Sequence, residues 1–289
     1  MIHPTALIDK EVIADRDIEV GAYAVLGKGV HLGKGVKISP FVHLEGDIFI
    51  DDNTFVGTGA VIGGAAQILG LKENTGRVRI GKNNIIREYV TINASSTPEK
   101  TTYIGNNNFL MAFSHIAHDC QLGNSIVVCN GALIAGHVQI QDNAFISGNV
   151  VLHQFLRIGR LEMIGGLSRV NQDVPPFMML VGDSRIWGLN LVGLKRKGFS
   201  IKEISAVKEA FNILYRKSLS PKNALQELEQ IGSQEAKEIK DFILSSKRGI
   251  CGPNKSSLLE KIFLDYPYFL RNKIPTYDLF LRKRVESRE

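Results

Sequence analysis

An aliphatic residue recurs every six positions from Ile2 to Val170, with no slip of phase. Of the 29 positions in that series, 26 are Ile, Leu or Val; the others are Ala14, Asn74 and Pro98. Apolar positions repeat about every 3.6 residues in a helix and about every two in a strand, so neither gives this period. The pattern predicts hexapeptide repeats wound into a parallel β-helix. Three hexapeptides close one triangular coil, so residues 18 apart stack. The aliphatic ladder fills the interior, where burial stabilises each side chain by roughly 1.5–3 kcal/mol. Small residues after ladder positions, as in Leu26-Gly27, Ile80-Gly81 and Leu122-Gly123, let the backbone turn between flat faces.

Two polar stretches interrupt the ladder. Residues 63–79 and 93–103 are rich in Gly, Asn, Ser, Thr and Lys, and carry Asn74 and Pro98 in the aliphatic slot. They are expected as loops extruded from the coil, where function often gathers. The repeat ends at Asp173-Val174-Pro175-Pro176, since paired prolines cannot continue a ladder. A linker with strand character runs to about Leu189, and helical periodicity follows. Ser200 with Glu203 forms a capping box, and Ile204, Val207, Phe211, Leu214 and Tyr215 form an apolar face. Ser220-Pro221 starts a second helix, and a third is expected from about Gln234 to Ser246. The expected architecture is mainly β: a β-helix over 1–189, then an α-helical domain over 190–289. Its extended tail from about 253 mixes aromatic and basic residues and is expected to pack on the helices.

The chain of 289 residues is 44% hydrophobic. No apolar run reaches the roughly 18 residues of a membrane span, and the N-terminus lacks the layout of a signal peptide. Three unpaired cysteines, Cys120, Cys129 and Cys251, fit a reduced cytoplasmic setting. A net charge of +6 is too mild to argue for nucleic acid but suits an acidic partner or a phosphorylated substrate.

Four of the seven histidines, His115, His118, His137 and His153, fall within 39 residues. Stacking at 18 puts His118 beneath Gly136 and Asp119 beneath His137, each about 4.7–4.9 Å apart. An imidazole beside a carboxylate can act as a general base, and the Gly136 N–H one coil on can stabilise an oxyanion. The competing use of clustered histidines is a metal site for lyase chemistry. Zinc needs three convergent ligands, and the histidine spacing shows no such set, so no metal is expected.

The segment Ser114-His115-Ile116-Ala117-His118-Asp119-Cys120 resembles the UDP-N-acetylglucosamine O-acyltransferases of lipid A biosynthesis. Ile134-Ala135-Gly136-His137-Val138, His153-Gln154-Phe155, Gln172-Asp173-Val174-Pro175-Pro176 and the run Gly193 to Ser200 resemble that family in the same order. The likeness extends over roughly residues 1 to 250. It implies a left-handed β-helix, a homotrimer, and sites in clefts between subunits. It implies that His118 deprotonates the sugar 3-hydroxyl, which attacks the thioester of a hydroxyacyl chain on acyl carrier protein. Asp119 orients His118, and stacking places it equally well to hold His137. Gly136 holds the oxyanion. His115, His137, His153 and Gln154 line the sugar and acyl site, while Gln67, Asn190, Arg196 and Lys197 serve the nucleotide end. Gly166 limits acyl length. The family uses no metal or organic cofactor, because the carrier brings its own phosphopantetheine arm.

The sequence departs from the family at three places. Where the first loop usually carries Q-D-x-K, it reads Gln67-Ile68-Leu69-Gly70. Val192 replaces an acidic nucleotide contact, and Ser184 replaces a histidine at the far end of the acyl groove. Members without the loop lysine acylate a 3-amino sugar, so N-acylation is an alternative to ester formation. A degenerate scaffold that binds acyl-sugar or carrier protein without turnover is another.

Overall fold

The computed structural model describes residues 1–71 and 76–254. The ladder closes into three parallel sheets, here called faces A, B and C, with most strands only two residues long. Face A begins with Glu19–Val20, face B with Leu7–Ile8 and face C with Ile13–Ala14. His115 pairs with Leu133 and Leu133 with Val151, so each coil takes 18 residues. Leu110, Ile116, Ile134 and Leu152 are fully buried along the axis. Two asparagines share that interior. Asn84 Nδ2 donates to the carbonyls of Gly81 and Gly105, and Asn108 Oδ1 accepts from the Ile126 amide at 2.7 Å. Their polar atoms are therefore satisfied where burial demands it.

Both loops are shorter than the composition predicts. Strand Val61–Gly64 takes in the start of the first, and strand Arg77–Ile80 its end. Strands Thr91–Asn93 and Thr101–Ile104 bound the second. Val61 pairs with Thr91 and Thr91 with His115, which leaves insertions of two hexapeptides and one. Because each insertion is a whole number of hexapeptides, the phase survives it. Ile68 is in phase with the ladder yet 41% exposed, and Pro98 is exposed as well. Neither belongs to the core; Asn74 lies outside the described residues.

The linker's strand character is realised as an antiparallel hairpin, Met178–Val181 with Arg185–Leu189, which extends face A. Strand Gly252–Pro253 returns to pair beside it. Helix α1 (Leu191–Arg196) is an element the periodicity does not predict. Helix α2 (Ile201–Tyr215) carries the expected capping box and buries Ile204, Val207 and Phe211. Helix α3 (Pro221–Gln230) starts at Ser220, and α4 (Gln234–Leu244) ends two residues before the expected Ser246. Charged and aromatic contacts fasten α4 to the last coils. Arg160 bonds Glu238 at 2.7 Å, the Arg157 guanidinium lies 4.2 Å over the Phe242 ring, and Ser246 Oγ donates to Asp173 Oδ2 at 2.8 Å. Residues 1–253 thus form one compact unit. The expected tail lies outside the described residues from 255 onward.

Candidate active site

The edge between faces B and C carries three stacked columns. His118, Gly136 and Gln154 form one; Asp119, His137 and Phe155 form the second; Ala117, Ala135 and His153 form the third. Asp119, His137 and Phe155 all take the left-handed conformation that turns the corner, with φ of 62°, 61° and 64°. Their side chains therefore leave the edge in a common direction. The Phe155 ring stacks on His137 at 4.4 Å, and the His137 ring meets His118 edge-on at 5.0 Å.

His118 Nδ1 lies 2.7 Å from Asp119 Oδ2. An ionised carboxylate only accepts, so Nδ1 carries the proton and Nε2 presents its lone pair. His137 Nε2 lies 3.5 Å from the same oxygen. Stacking alone left Asp119 free to serve either histidine; the distances assign it to His118. A Cβ on Gly136 would fall 2.6 Å from His118 Cε1 and 2.7 Å from Nε2, so only glycine leaves room for the ring. At the C–A edge, the amides equivalent to Gly136 N–H are bonded by side chains one coil on. Asp52 holds Lys34, Asn106 holds Lys82, Asn124 holds Asn106 and Asp142 holds Asn124. Gly136 N–H has no acceptor among the described residues.

Three residues of the site escaped the sequence reading. Ser95 Oγ donates to Asp119 Oδ1 at 2.5 Å and Ser96 Oγ to Oδ2 at 2.6 Å, while the Asp119 amide donates to Thr102 Oγ1 at 2.8 Å. The serines lie one coil below Asp119 in space but 24 and 23 positions away, because the second insertion lengthens that coil. Only the insertion length could have revealed them. Burial opposes ionisation of Asp119, but the bonds from Ser95, Ser96 and His118 and the nearby His137 outweigh it, holding the carboxyl down to about 2. Burial lowers the pKa of His137, with Asp119 opposing and His118 and Lys100 adding to it. Burial, then His118, lowers that of His115. Burial pushes the Cys120 thiol up to about 12, so no thiolate is available beside the dyad.

Ligand atoms of His118, Asp119 and His137 all lie within 4.8 Å of one another. Ligands about 2.0–2.2 Å from a tetrahedral zinc sit farther apart than the direct 2.7 Å Nδ1···Oδ2 contact. That contact is a hydrogen bond, and the arrangement as it stands does not fit a tetrahedral zinc ion.

The remaining candidates are spread along the chain. His115 is half-buried on face B, with Nδ1 2.8 Å from Thr91 Oγ1. His153 and Gln154 are exposed at the same edge as His118. Gln67 is exposed on the first loop, and Arg196 and Lys197 are exposed at the end of α1. Asn190 is committed to structure: Oδ1 caps α1 by accepting from Gly193 N, and Nδ2 donates to the Leu161 carbonyl, both at 2.9 Å. Gly166 sits on the other edge of face B, and a Cβ there would meet Gly148 O at an ordinary 3.4 Å. Exposed Leu133 and Val151 lie on the face between the two edges.

Two family models match the chain: "Udp N-acetylglucosamine O-acyltransferase; Domain 2" over residues 173–251, and "Bacterial transferase hexapeptide (six repeats)" over 101–136. Among curated relatives, the acyl-[acyl-carrier-protein]–UDP-N-acetylglucosamine O-acyltransferase of Thermodesulfovibrio yellowstonii is 45% identical over 86% of this chain and 98% of its own length. The relative of the same name in Gloeothece citriformis is 44% identical over a shorter stretch, 62% of this chain and 66% of that protein. The solved UDP-N-acetylglucosamine acyltransferase of Francisella novicida superposes with a TM-score of 0.85 at 35% identity, covering 89% of this chain and 96% of that one. The fold is a parallel β-helix followed by helices, as the repeat predicts, with the left hand that the family resemblance implies. With one motif order, one fold and relatives aligned over 86% of this chain and 98% of their own length, the chain belongs to the UDP-N-acetylglucosamine O-acyltransferase family.

Proposed function

We propose that this protein moves an acyl chain from the thioester of an acyl carrier protein to the 3-hydroxyl of UDP-N-acetylglucosamine, the first step of lipid A synthesis. The observation that carries this reading is the His118–Asp119 pair seated directly beneath Gly136. His118 Nε2 takes the proton of the 3-hydroxyl as its oxygen attacks the thioester carbonyl. The unengaged Gly136 N–H donates to the oxyanion that forms. Collapse of the tetrahedral intermediate expels the phosphopantetheine thiolate, which recovers the proton from His118. Asp119 fixes the His118 tautomer and steadies the imidazolium between those steps.

In this reading His115, His137, His153 and Gln154 surround the acceptor sugar. The acyl chain crosses Leu133 and Val151 towards Gly166, where the missing side chain leaves length for it. Gln67, Arg196 and Lys197 meet the nucleotide, and Asn190 contributes by holding α1. Lys195, Arg196 and Lys197 also give an acidic carrier protein a basic surface. No metal or organic cofactor takes part beyond the carrier's own arm. The working form is a homotrimer, because apolar side chains line the outer surfaces of faces A and B. Phe55, Ile85, Phe109 and Phe145 stand outward on face A. Exposed ring pairs Tyr23–Phe41 and Tyr89–Phe113 stack at 5.4 and 5.2 Å on the edge that joins the two faces.

His118→Ala is expected to lower turnover by about two to four orders of magnitude while leaving the fold and assembly intact. Near-normal turnover in that variant would remove His118 from the role of base. One observation favours a second reading, N-acylation of the 3-amino analogue: exposed apolar Ile68 and Leu69 stand on the loop where the family carries an acid and a lysine. Mass spectrometry of products from both sugar nucleotides, assayed side by side, separates the two. A clear preference for the amino sugar replaces the ester reading.

A further inference from the structure

The second extruded loop leaves the coil directly below Asp119 and rejoins it at the same level. Both of its ends touch that one residue. At the outgoing end, Ser95 Oγ donates to Oδ1 at 2.5 Å, Ser96 Oγ donates to Oδ2 at 2.6 Å, and the Ser96 amide points at the same carboxylate from 3.3 Å. At the returning end, Thr102 Oγ1 accepts from the Asp119 amide at 2.8 Å. Ser95 is 1% exposed and Thr102 fully buried. Two hydroxyls and one amide thus occupy carboxylate positions that His118 does not use.

We propose that residues 94–100 act as a clamp, in which Ser95 and Ser96 are positioning residues that aim the Asp119 carboxylate at His118 rather than at His137. Asp119 Oδ2 has two imidazoles within reach, His118 Nδ1 at 2.7 Å and His137 Nε2 at 3.5 Å. Left to rotate about its own side chain, the carboxylate could pair with either. Ser95 on one oxygen and Ser96 on the other hold it in the rotamer that serves His118. The clamp is itself braced from the first insertion. A Cβ on Gly76, the residue that closes that loop, would fall 1.9 Å from the Ser95 carbonyl oxygen. The Ser95 amide donates to Arg77 O at 3.3 Å. The two insertions therefore converge on one serine, and a side chain at position 76 would push it off Asp119.

The groups that bear on Asp119 are His118 on its own corner, His137 one coil above, Lys100 on the loop, acting through His137, and the neutral Cys120 thiol beside it. In the intact clamp the Asp119 carboxyl is held down to about 2, so the acid limb of activity reports the base alone. Without the serine hydroxyls the burial of Asp119 is unopposed by them and its pKa rises. A second proton then enters the acid limb.

This inference rests on His118 being the base, and its test separates the two. Ser95→Ala, Ser96→Ala, the double variant, Ser96→Thr and Gly76→Ala would be assayed with acyl carrier protein thioester and UDP-N-acetylglucosamine. Each alanine is expected to lower kcat about tenfold, the loss of one hydrogen bond to a charged group, with KM within about twofold. Ser96→Thr keeps a hydroxyl and restores kcat, and Gly76→Ala behaves like Ser95→Ala. The acid limb of the double variant steepens. Independently of turnover, nitrogen-15 spectra of the His118 ring at neutral pH should show the Nδ1-protonated tautomer in the parent and a mixture in the double variant. An unchanged tautomer and an unchanged pH profile in the double variant would overturn the clamp, even if His118→Ala had abolished activity. So would losses in KM alone, or a failure of Ser96→Thr to restore kcat.

Discussion

At the scale of single residues, two buried carboxyls are pushed in opposite directions, and the difference is in their partners. Asp119 accepts from two serines and a histidine and is held down to about 2, below its ordinary 3.8. Its ionised form stabilises the fold at any pH above about 4, and that stabilisation, on the order of 2 kcal/mol, is lost as the pH falls towards 2. Glu162 is fully buried with neither oxygen in a well-formed hydrogen bond among the described residues, and burial, opposed only by the nearby Met178 amide, holds its pKa well above 4.5. The sign reverses. Below pH 4.5 the carboxyl is neutral in folded and unfolded chains alike; above it, only the unfolded chain ionises, and stability declines. Tyr215, whose buried hydroxyl also has no bonded partner among the described residues, stands near Glu162 and offers it no relief. Glu162→Met is expected to stabilise the protein by about 1–3 kcal/mol at pH 7.5, and by less at pH 4. Denaturant unfolding at the two pH values checks this; destabilisation at pH 7.5 would mean that the carboxyl is needed. None of this was legible in the sequence, where Glu162 is one acid among many. His118, Asp119 and Gly136 were legible because the 18-residue coil converts spacing into contact. Ser95 and Ser96 were not, because the insertion below them changes that spacing.

At the scale of elements, the six-residue period was a sound guide to the strands and a poor one to the loops. Insertions of two hexapeptides and one leave the phase of every later ladder residue unchanged, so Ile68 and Pro98 keep time with a core they never enter. Pairing register, which tells the two apart, is a long-range property that no local pattern carries. Helix ends fared better because they are chemically marked: Ser200 with Glu203, and Ser220 with Pro221, fix α2 and α3 by local bonds. The short α1 lacks a hydrophobic repeat long enough to announce it, and the charge run Lys195 to Lys197 proves to lie at its end. The modular insertion gives a direct expectation. Deleting residues 95–100 returns that coil to 18 residues and should leave circular dichroism close to that of the parent, with stability lowered by no more than the roughly 2 kcal/mol tied to Asp119. Acyl transfer should fall by at least the roughly hundredfold expected of the double serine variant, since the whole clamp is gone. Retained turnover would show that the loop serves something other than Asp119.

At the scale of the whole molecule, the three faces differ in chemistry. Face C shows Arg79, Gln121 and Gln139 outward beside Phe49 and Tyr103, with Arg79 paired to Asp47 and Arg157 engaged by α4. Faces A and B show phenylalanines, aliphatics and the stacked rings of their shared edge. If the proposed homotrimer forms through that edge, Phe113→Glu is expected to give a monomer by light scattering, while the β-helix remains folded. An unchanged mass would place the subunit contact elsewhere. The same edge holds Tyr23, Phe41, Tyr89, Phe113 and Leu167 in the left-handed backbone conformation, with φ between 56° and 62°. Bulky residues are uncommon there, and each costs about 1–2 kcal/mol relative to glycine. Leu167 is 80% exposed, so burial within its own chain does not offset that cost. In the proposed homotrimer, folding and association would therefore select for different residues at this edge. Glycine or asparagine would make a sturdier subunit, and in the proposed assembly it is the company of other subunits that would make leucine and the aromatics worth keeping. A lone chain optimised for heat resistance would drift along this edge towards small residues and, in doing so, lose the surface on which the proposed assembly depends.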